Sequence, residues 1–141
     1  MPDRELMSAG DIHAFGIEIV FTYLQKDGWV VRTADPLANL HSEPQIIASK
    51  DGDLAFFIVR TAVYPERGRF EEGQEAFETL VRHAKEHGAD CYFASVGIAN
   101  STGTSEEDRS RPIKNASYDV EFDGLVRMEL PSGQKPETQA A

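Results

Sequence analysis

The fold is decided by the stretch QIIASKDGDLAFFIVRT, residues 45–61. It contains two apolar runs, residues 46–48 and 54–59, joined by a short polar segment. The Asp51-Gly52 pair in that segment readily adopts the positive φ angles of a tight two-residue turn. The stretch therefore predicts a β-hairpin.

A helix is predicted upstream of the hairpin. Apolar residues recur at helical spacing from about residue 11 to residue 26, and Gly28 follows where a helix usually ends. Ile17 and Phe21 add a second apolar face, so we expect this helix to be buried on more than one side. A short strand, residues 29–31, then leads towards the hairpin.

Two further elements and a loop are predicted downstream. Residues 72–86 have the pattern of an amphipathic helix, and the apolar residues 91–96 predict a strand. Residues 100–112 are rich in Ser, Thr and charge without periodicity, which is typical of a mobile loop.

The last expected element is a second hairpin, since residues 117–122 and 125–130 flank an Asp123-Gly124 pair. The elements together predict an α/β fold, with an α-β-β-β-α-β core, a central mixed β-sheet flanked by helices, and a C-terminal β-hairpin.

Length and composition predict one cytoplasmic domain. The chain has 141 residues, about the size of a single core. We expect a flexible N terminus, one domain and a disordered tail, at residues 1–10, 11–130 and 131–141. No apolar run approaches the roughly 20 residues that cross a bilayer, and no signal peptide is apparent. The single Cys91 cannot supply the four ligands of an iron–sulfur cluster, and no dinucleotide-binding glycine motif is present, so we expect no cofactor.

The charge balance disfavours nucleic acid as a partner. The chain has 14 Lys and Arg against 24 Asp and Glu, a net charge of −10. Because proteins bind DNA largely by neutralising phosphates with basic side chains, a chain this acidic is at an electrostatic disadvantage.

Residues 15–96 resemble the restriction-endonuclease-like (PD-(D/E)xK) superfamily, in particular the YraN-type endonucleases and, more distantly, archaeal Holliday-junction resolvases. In the first helix, the family frame of Gly-Glu, Tyr-Leu and Gly-aromatic pairs corresponds to Gly16-Ile17, Tyr23-Leu24 and Gly28-Trp29. In the hairpin, residues 44–47 and 57–61 match the two strands that carry the family's catalytic residues. The resemblance implies a nuclease-like fold.

The resemblance also implies a degenerate active site. The helix Glu of the family falls on Ile17, the catalytic Asp on Gln45, the Glu on Ile58 and the Lys on Arg60. Mg²⁺ requires oxygen ligands, which Ile17 and Ile58 cannot provide. Arginine remains charged and is a poor proton donor or acceptor, so Arg60 does not replace a catalytic Lys. We therefore expect no metal site and no catalysis.

The charged residues around these positions have two interpretations. Arg60, Arg67 and Arg69 are candidates for binding a phosphate or carboxylate ligand through forked hydrogen bonds, and Glu18 is a further candidate ligand-binding residue. The alternative, which we favour, is that Arg60 pairs with an acidic neighbour such as Glu18 and that the other arginines are solvated.

Two other reactive side-chain types have simpler interpretations. His83 and His87 are spaced i, i+4 and share a helix face, but the Glu of a zinc-protease motif is missing. We favour an interaction of both with the helix dipole. Cys91 opens an apolar strand and is expected to be a core residue.

Three hypotheses for the function follow. The leading one is a non-catalytic nuclease-like protein that binds a protein partner or an anionic ligand through the concave face of the former active site. The first alternative is a divergent metal-dependent nuclease for DNA or RNA that uses Glu18, Asp53 or another acid. The second is a homodimeric scaffold in which the second hairpin pairs across a two-fold axis.

Overall fold

A five-stranded mixed sheet carries the fold, in a computed structural model that describes residues 5–114 and 116–130. The elements in chain order are α1 (Ala9–Lys26), β1 (Val30–Ala34), β2 (Ile46–Lys50), β3 (Asp53–Val63), α2 (Gln74–Glu86), β4 (Ala89–Asn100), α3 (Glu106–Arg109) and β5 (Tyr118–Arg127). The strands lie side by side in sequence order. Strands β3 and β4 are parallel and connected through α2, whereas the other neighbouring pairs are antiparallel. The predicted mixed sheet flanked by helices is confirmed.

The central hairpin has the turn that its sequence predicts. Lys50 pairs with Asp53, which leaves Asp51 and Gly52 as the two turn residues. Their φ angles are +54° and +88°, and a two-residue turn with positive φ at both positions matches the twist of the flanking strands. The hairpin therefore sets the register of β2 against β3 from a purely local signal.

Helix α1 begins at a capping box. The Ser8 hydroxyl accepts a hydrogen bond from the Asp11 backbone N–H, and the Asp11 carboxylate accepts one from the Ser8 N–H. Just upstream, Leu6 forms a β-bridge with Ile113. Glu5, Leu6 and Met7, within the stretch expected to be a flexible N terminus (residues 1–10), therefore make backbone contacts with residues 112–114.

The two faces of the sheet bury separate apolar clusters. Side chains alternate along β3, so neighbouring residues of this strand point to opposite helices. Phe57 and Val59 pack in the cluster that includes α1, and Phe56 and Ile58 pack in the cluster that includes α2. The residues of β3 from Ala55 to Arg60 are all buried, because helices cover both faces of this strand.

The predicted C-terminal hairpin is wrong. Residues 118–127 form one continuous strand, β5, which pairs antiparallel with β4. The Asp123-Gly124 pair lies at a bulge in this strand, with Gly124 at φ +106°. Positive φ at a glycine serves a β-bulge as well as a turn, and the long strand β4 offers a partner on both sides of the bulge.

The stretch expected to be a mobile loop, residues 100–112, contains one helical turn. Helix α3 is capped by Ser105, whose hydroxyl accepts a hydrogen bond from the Asp108 N–H. The expected disordered tail, residues 131–141, lies outside the described residues. Within the described part of the chain, no helix is long and apolar enough to span a membrane.

Candidate functional site

Gln45 and Arg60 meet at the carboxyl end of β3. Gln45 directly precedes β2, and its backbone N–H donates to the carbonyl of Phe57 on the neighbouring strand at 3.1 Å. This pairing turns the Gln45 side chain inwards, where it is completely buried. Its Oε1 accepts hydrogen bonds from the Val59 N–H and from Arg60 Nη1, both at 2.9 Å. One amide oxygen therefore ties the backbone of β3 to the Arg60 guanidinium.

Arg60 uses its whole guanidinium inside the protein. Nη1 donates to Gln45 and also to the Val59 carbonyl at 2.9 Å. Nη2 donates to the Leu40 carbonyl at 3.0 Å, and it lies 3.0 Å from Glu72 Oε1. Nε donates to the same Glu72 oxygen at 3.0 Å. An arginine has five N–H donors; four of them are hydrogen-bonded within the chain, and Nη2 is also in ion-pair contact with Glu72.

The Arg60–Glu72 ion pair is largely removed from water. The two side chains are 8% and 14% exposed, and the Phe70 ring lies 5.4 Å from the guanidinium carbon. A buried charge is tolerated when it is paired and its hydrogen bonds are satisfied, as both are here. We call Gln45, Arg60 and Glu72 the arginine cluster. Its geometry is that of a structural element that joins β2, β3 and the segment before α2.

The positions that the resemblance to nucleases matches to catalytic residues are only partly close together in the structure. Ile58 lies two residues before Arg60, so it points to the same face of the sheet, where it is fully buried against α2. Ile17 is buried in the apolar cluster of the opposite face. The structure thus brings Gln45 into contact with Arg60, and it places Ile17 on the other side of the sheet.

Glu18 and Asp53, the acids considered as replacements for the missing metal ligands, lie away from the arginine cluster. Arg60 pairs with an acid, as expected, but the partner is Glu72; Glu18 is exposed on α1. Asp53 begins β3 and is exposed, seven residues before Arg60, which corresponds to roughly 23 Å along a strand. Across residues 5–114 and 116–130, no group of three or more His, Cys, Asp or Glu side chains is placed to hold a metal ion.

Arg67 and Arg69 bind carboxylates of their own. Arg67 contacts Glu121 at 2.9 Å and Asp123 at 2.6 Å, both on β5. Arg69 lies 3.2 Å from Glu66. Arg67 and Arg69 are 40% and 68% exposed, in contrast to Arg60. The three arginines are thus occupied by different carboxylates and do not converge on a shared anion site in this structure.

His13 is a polar neighbour of the arginine cluster that the sequence did not reveal. Its Nε2 is buried and has no hydrogen-bond partner within the described residues. Burial and the nearby Arg60 charge lower the pKa of His13, against weaker opposing effects of the Pro36 backbone and Glu72. In the sequence, His13 is an isolated polar residue on a helix, and no pattern links it to a strand about 47 positions later.

Cys91 is the core residue that the sequence predicts. It is 3% exposed, and its Sγ lies 3.7 Å from the sulfur of Met128. Burial raises the pKa of the Cys91 thiol to about 12, so the reactive thiolate form is disfavoured near neutral pH.

The fold and the arginine cluster together define the class of the protein: an α/β domain whose five-stranded mixed sheet carries a buried polar cluster at the end of its central strand. Residues 10–128 match the model of a family described as "Domain of unknown function (DUF8840)", and the chain belongs to that family. No curated protein matches the chain.

Proposed function

We propose that this chain is a non-catalytic member of the restriction-endonuclease-like group and acts as a binding module for another protein. The α-β-β-β-α-β order and the mixed sheet support the fold assignment. The lack of catalysis is supported chiefly by one observation: all three nitrogens of the Arg60 guanidinium are hydrogen-bonded within the chain, and the guanidinium is paired with Glu72.

The chemistry of the cluster argues against the anionic-ligand form of this hypothesis. A phosphate or carboxylate bound at Arg60 would have to displace Gln45, which is fully buried, or Glu72, whose side chain is 14% exposed. Displacement would leave a buried carboxylate or amide without its partner, at a cost of about 1–3 kcal/mol or more for each group. A protein partner that binds elsewhere on the surface requires no such displacement.

The divergent-nuclease alternative has less support. Hydrolysis of a phosphodiester with a metal ion needs carboxylates that converge on one cation. Glu18 and Asp53 lie on α1 and at the opposite end of β3 from Arg60, so they do not converge there.

The homodimer alternative also has less support. In the described sheet β5 is an outermost strand, so a second copy would pair with it. Asp119, Glu121 and Asp123 line β5 at alternate positions before its bulge. Antiparallel pairing of two such strands places these carboxylates near their counterparts, and like charges opposite each other destabilise a sheet. The ion pairs of these carboxylates with Arg67 and Arg109 offset part of this repulsion.

A cleavage assay combined with partner capture tests the proposal. The full-length protein is incubated with Mg²⁺ or Mn²⁺ and with single- and double-stranded DNA and RNA, beside the variants Glu18→Gln and Asp53→Asn. We expect no cleavage by any of them. Metal-dependent cleavage by the wild type that either variant abolishes would contradict the proposal.

The binding role is tested on the same preparation. A protein captured by crosslinking in cells should, once purified, rebind the chain with defined stoichiometry. The proposal requires both results: no cleavage, and a captured protein that rebinds. A protein that neither cleaves nucleic acid nor rebinds a partner would not be a binding module.

A further inference from the structure

Two histidines at the carboxyl end of α2 form a close pair. His83 and His87 lie one helical turn apart, and their ring centres are 4.6 Å from each other with the planes at 73°. Both rings pack on Phe56, at 5.4 Å and 5.7 Å between centres. The sequence favoured an interaction of both histidines with the helix dipole. Such an interaction requires neither the short distance between the two rings nor their common contact with Phe56.

A backbone hydrogen bond orients one of the two rings. His87 Nδ1 lies 2.9 Å from the carbonyl oxygen of His83. A carbonyl only accepts hydrogen bonds, so Nδ1 is the protonated nitrogen in this contact. In the neutral ring the lone pair is then on Nε2, and an outer hydrogen bond of this kind fixes the tautomer of metal-binding histidines.

The spacing of the rings fits a shared cation. Metal–nitrogen bonds to histidine are about 2.0–2.1 Å long. When two imidazoles bind one cation, and the angle between the two metal–nitrogen bonds lies between a right angle and the tetrahedral angle, their ring centres are therefore roughly 4.5–5.2 Å apart. The observed separation of 4.6 Å is within this interval.

We infer that His83 and His87 form a two-imidazole site for a divalent transition cation of the Zn²⁺, Ni²⁺ or Cu²⁺ type. Imidazole nitrogen is a ligand for these ions, whereas Mg²⁺ and Ca²⁺ take oxygen. His83, but not His87, lines an open groove of about 430 Å³ with Glu43, Arg82 and Glu86, and His87 is exposed. The described residues supply no third ligand, so water would complete the coordination of the bound ion.

The site is separate from the arginine cluster. Phe56, on which both histidines pack, lies four residues before Arg60 on β3, roughly 13 Å along the strand. The inference therefore does not depend on the proposed function, and the two can fail independently.

Calorimetric titration of the full-length protein with Ni²⁺ or Zn²⁺ alone tests the site. The wild type should bind one ion. Loss of an outer hydrogen-bond partner of a ligand typically weakens metal binding about 10- to 100-fold, so His83→Gln and His87→Gln, which remove a ligand, should each weaken it at least as much. His41→Gln is the matched control, because His41 is exposed in the loop before β2, and it should bind like the wild type.

Thermal unfolding supplies a second measurement that accounts for any folding defect. Zn²⁺ should raise the Tm of the wild type and of His41→Gln, and it should leave the Tm of the metal-free double variant His83→Gln, His87→Gln unchanged, since ligands stabilise the state that binds them. No binding by the wild type would overturn the inference. Equal binding by the double variant, or an equal loss in His41→Gln, would do the same.

Discussion

Arg60 and Arg67 each bind carboxylates, yet they differ in their surroundings. Arg60 contacts Glu72 with an exposure of 8%, and its other donors are taken by Gln45 and backbone carbonyls. Arg67 bridges to two carboxylates of β5 with an exposure of 40%. Burial and the number of internal hydrogen bonds therefore decide whether an ion pair is part of the architecture, whereas a short distance alone does not.

The energetic reason is desolvation. Removing one partner of a buried pair leaves the other charge without compensation in a medium that solvates it poorly. Removing one partner of an exposed pair leaves a charge that water and salt already screen. The largest difference should therefore appear when each arginine is truncated.

Arg60→Ala should have the largest effect. It leaves Glu72 as a mostly buried charge and deprives Gln45 Oε1 of one donor, so we expect a loss of about 3–5 kcal/mol in the free energy of unfolding. Urea denaturation followed by circular dichroism measures it. Arg69→Ala is the matched control, since Arg69 is 68% exposed, and its loss should not exceed about 1 kcal/mol. Equal losses in both variants would show that Arg60 contributes no more to stability than an exposed arginine does.

Gln45→Ala should have the next largest effect. It removes the acceptor of the Val59 N–H and of one Arg60 N–H in a fully buried position. An unsatisfied buried polar group costs about 1–3 kcal/mol, and this loss should appear in the same denaturation experiment. Gln74→Ala, at an exposed position on α2, serves as the control and should change the stability by no more than about 0.5 kcal/mol.

Arg67→Ala should have the smallest effect. Its two ion pairs are exposed on both sides, so we expect the smallest loss in the free energy of unfolding among these variants, and a loss that shrinks further as salt is added. Denaturation at low and at high ionic strength checks this. A salt-independent loss as large as that of Arg60→Ala would show that exposure does not separate the two arginines.

The fold prediction was correct where residues near in sequence determine the structure, and wrong where a distant strand determines it. The Asp51-Gly52 pair produces a turn, because the apolar runs on its two sides pair with each other. The Asp123-Gly124 pair has the same composition, yet it forms a bulge because β4 pairs with the chain on both sides of it. The dipeptide allows positive φ in both cases, and the available partner strand decides what the chain does with it.

The sequence indicated residues of the arginine cluster only through the resemblance to nucleases or through the two-residue period of a strand. The match to the nuclease hairpin singled out Gln45 and Arg60, which are in contact. Glu72 and the Leu40 carbonyl come from connecting segments whose positions are set by tertiary packing. No sequence period relates such segments to a strand, so the internal saturation of Arg60 became visible only in three dimensions.

The most direct test of Arg60 as an internal structural residue is a double-mutant cycle with Glu72. Unfolding free energies are measured for the wild type, Arg60→Ala, Glu72→Ala and the double variant. We predict a coupling of about 1–3 kcal/mol, as for residues that share one hydrogen-bonded network. A coupling near zero, with Arg60→Ala as stable as the wild type, would mean that the guanidinium is not held by the fold and would contradict the structural role assigned to it.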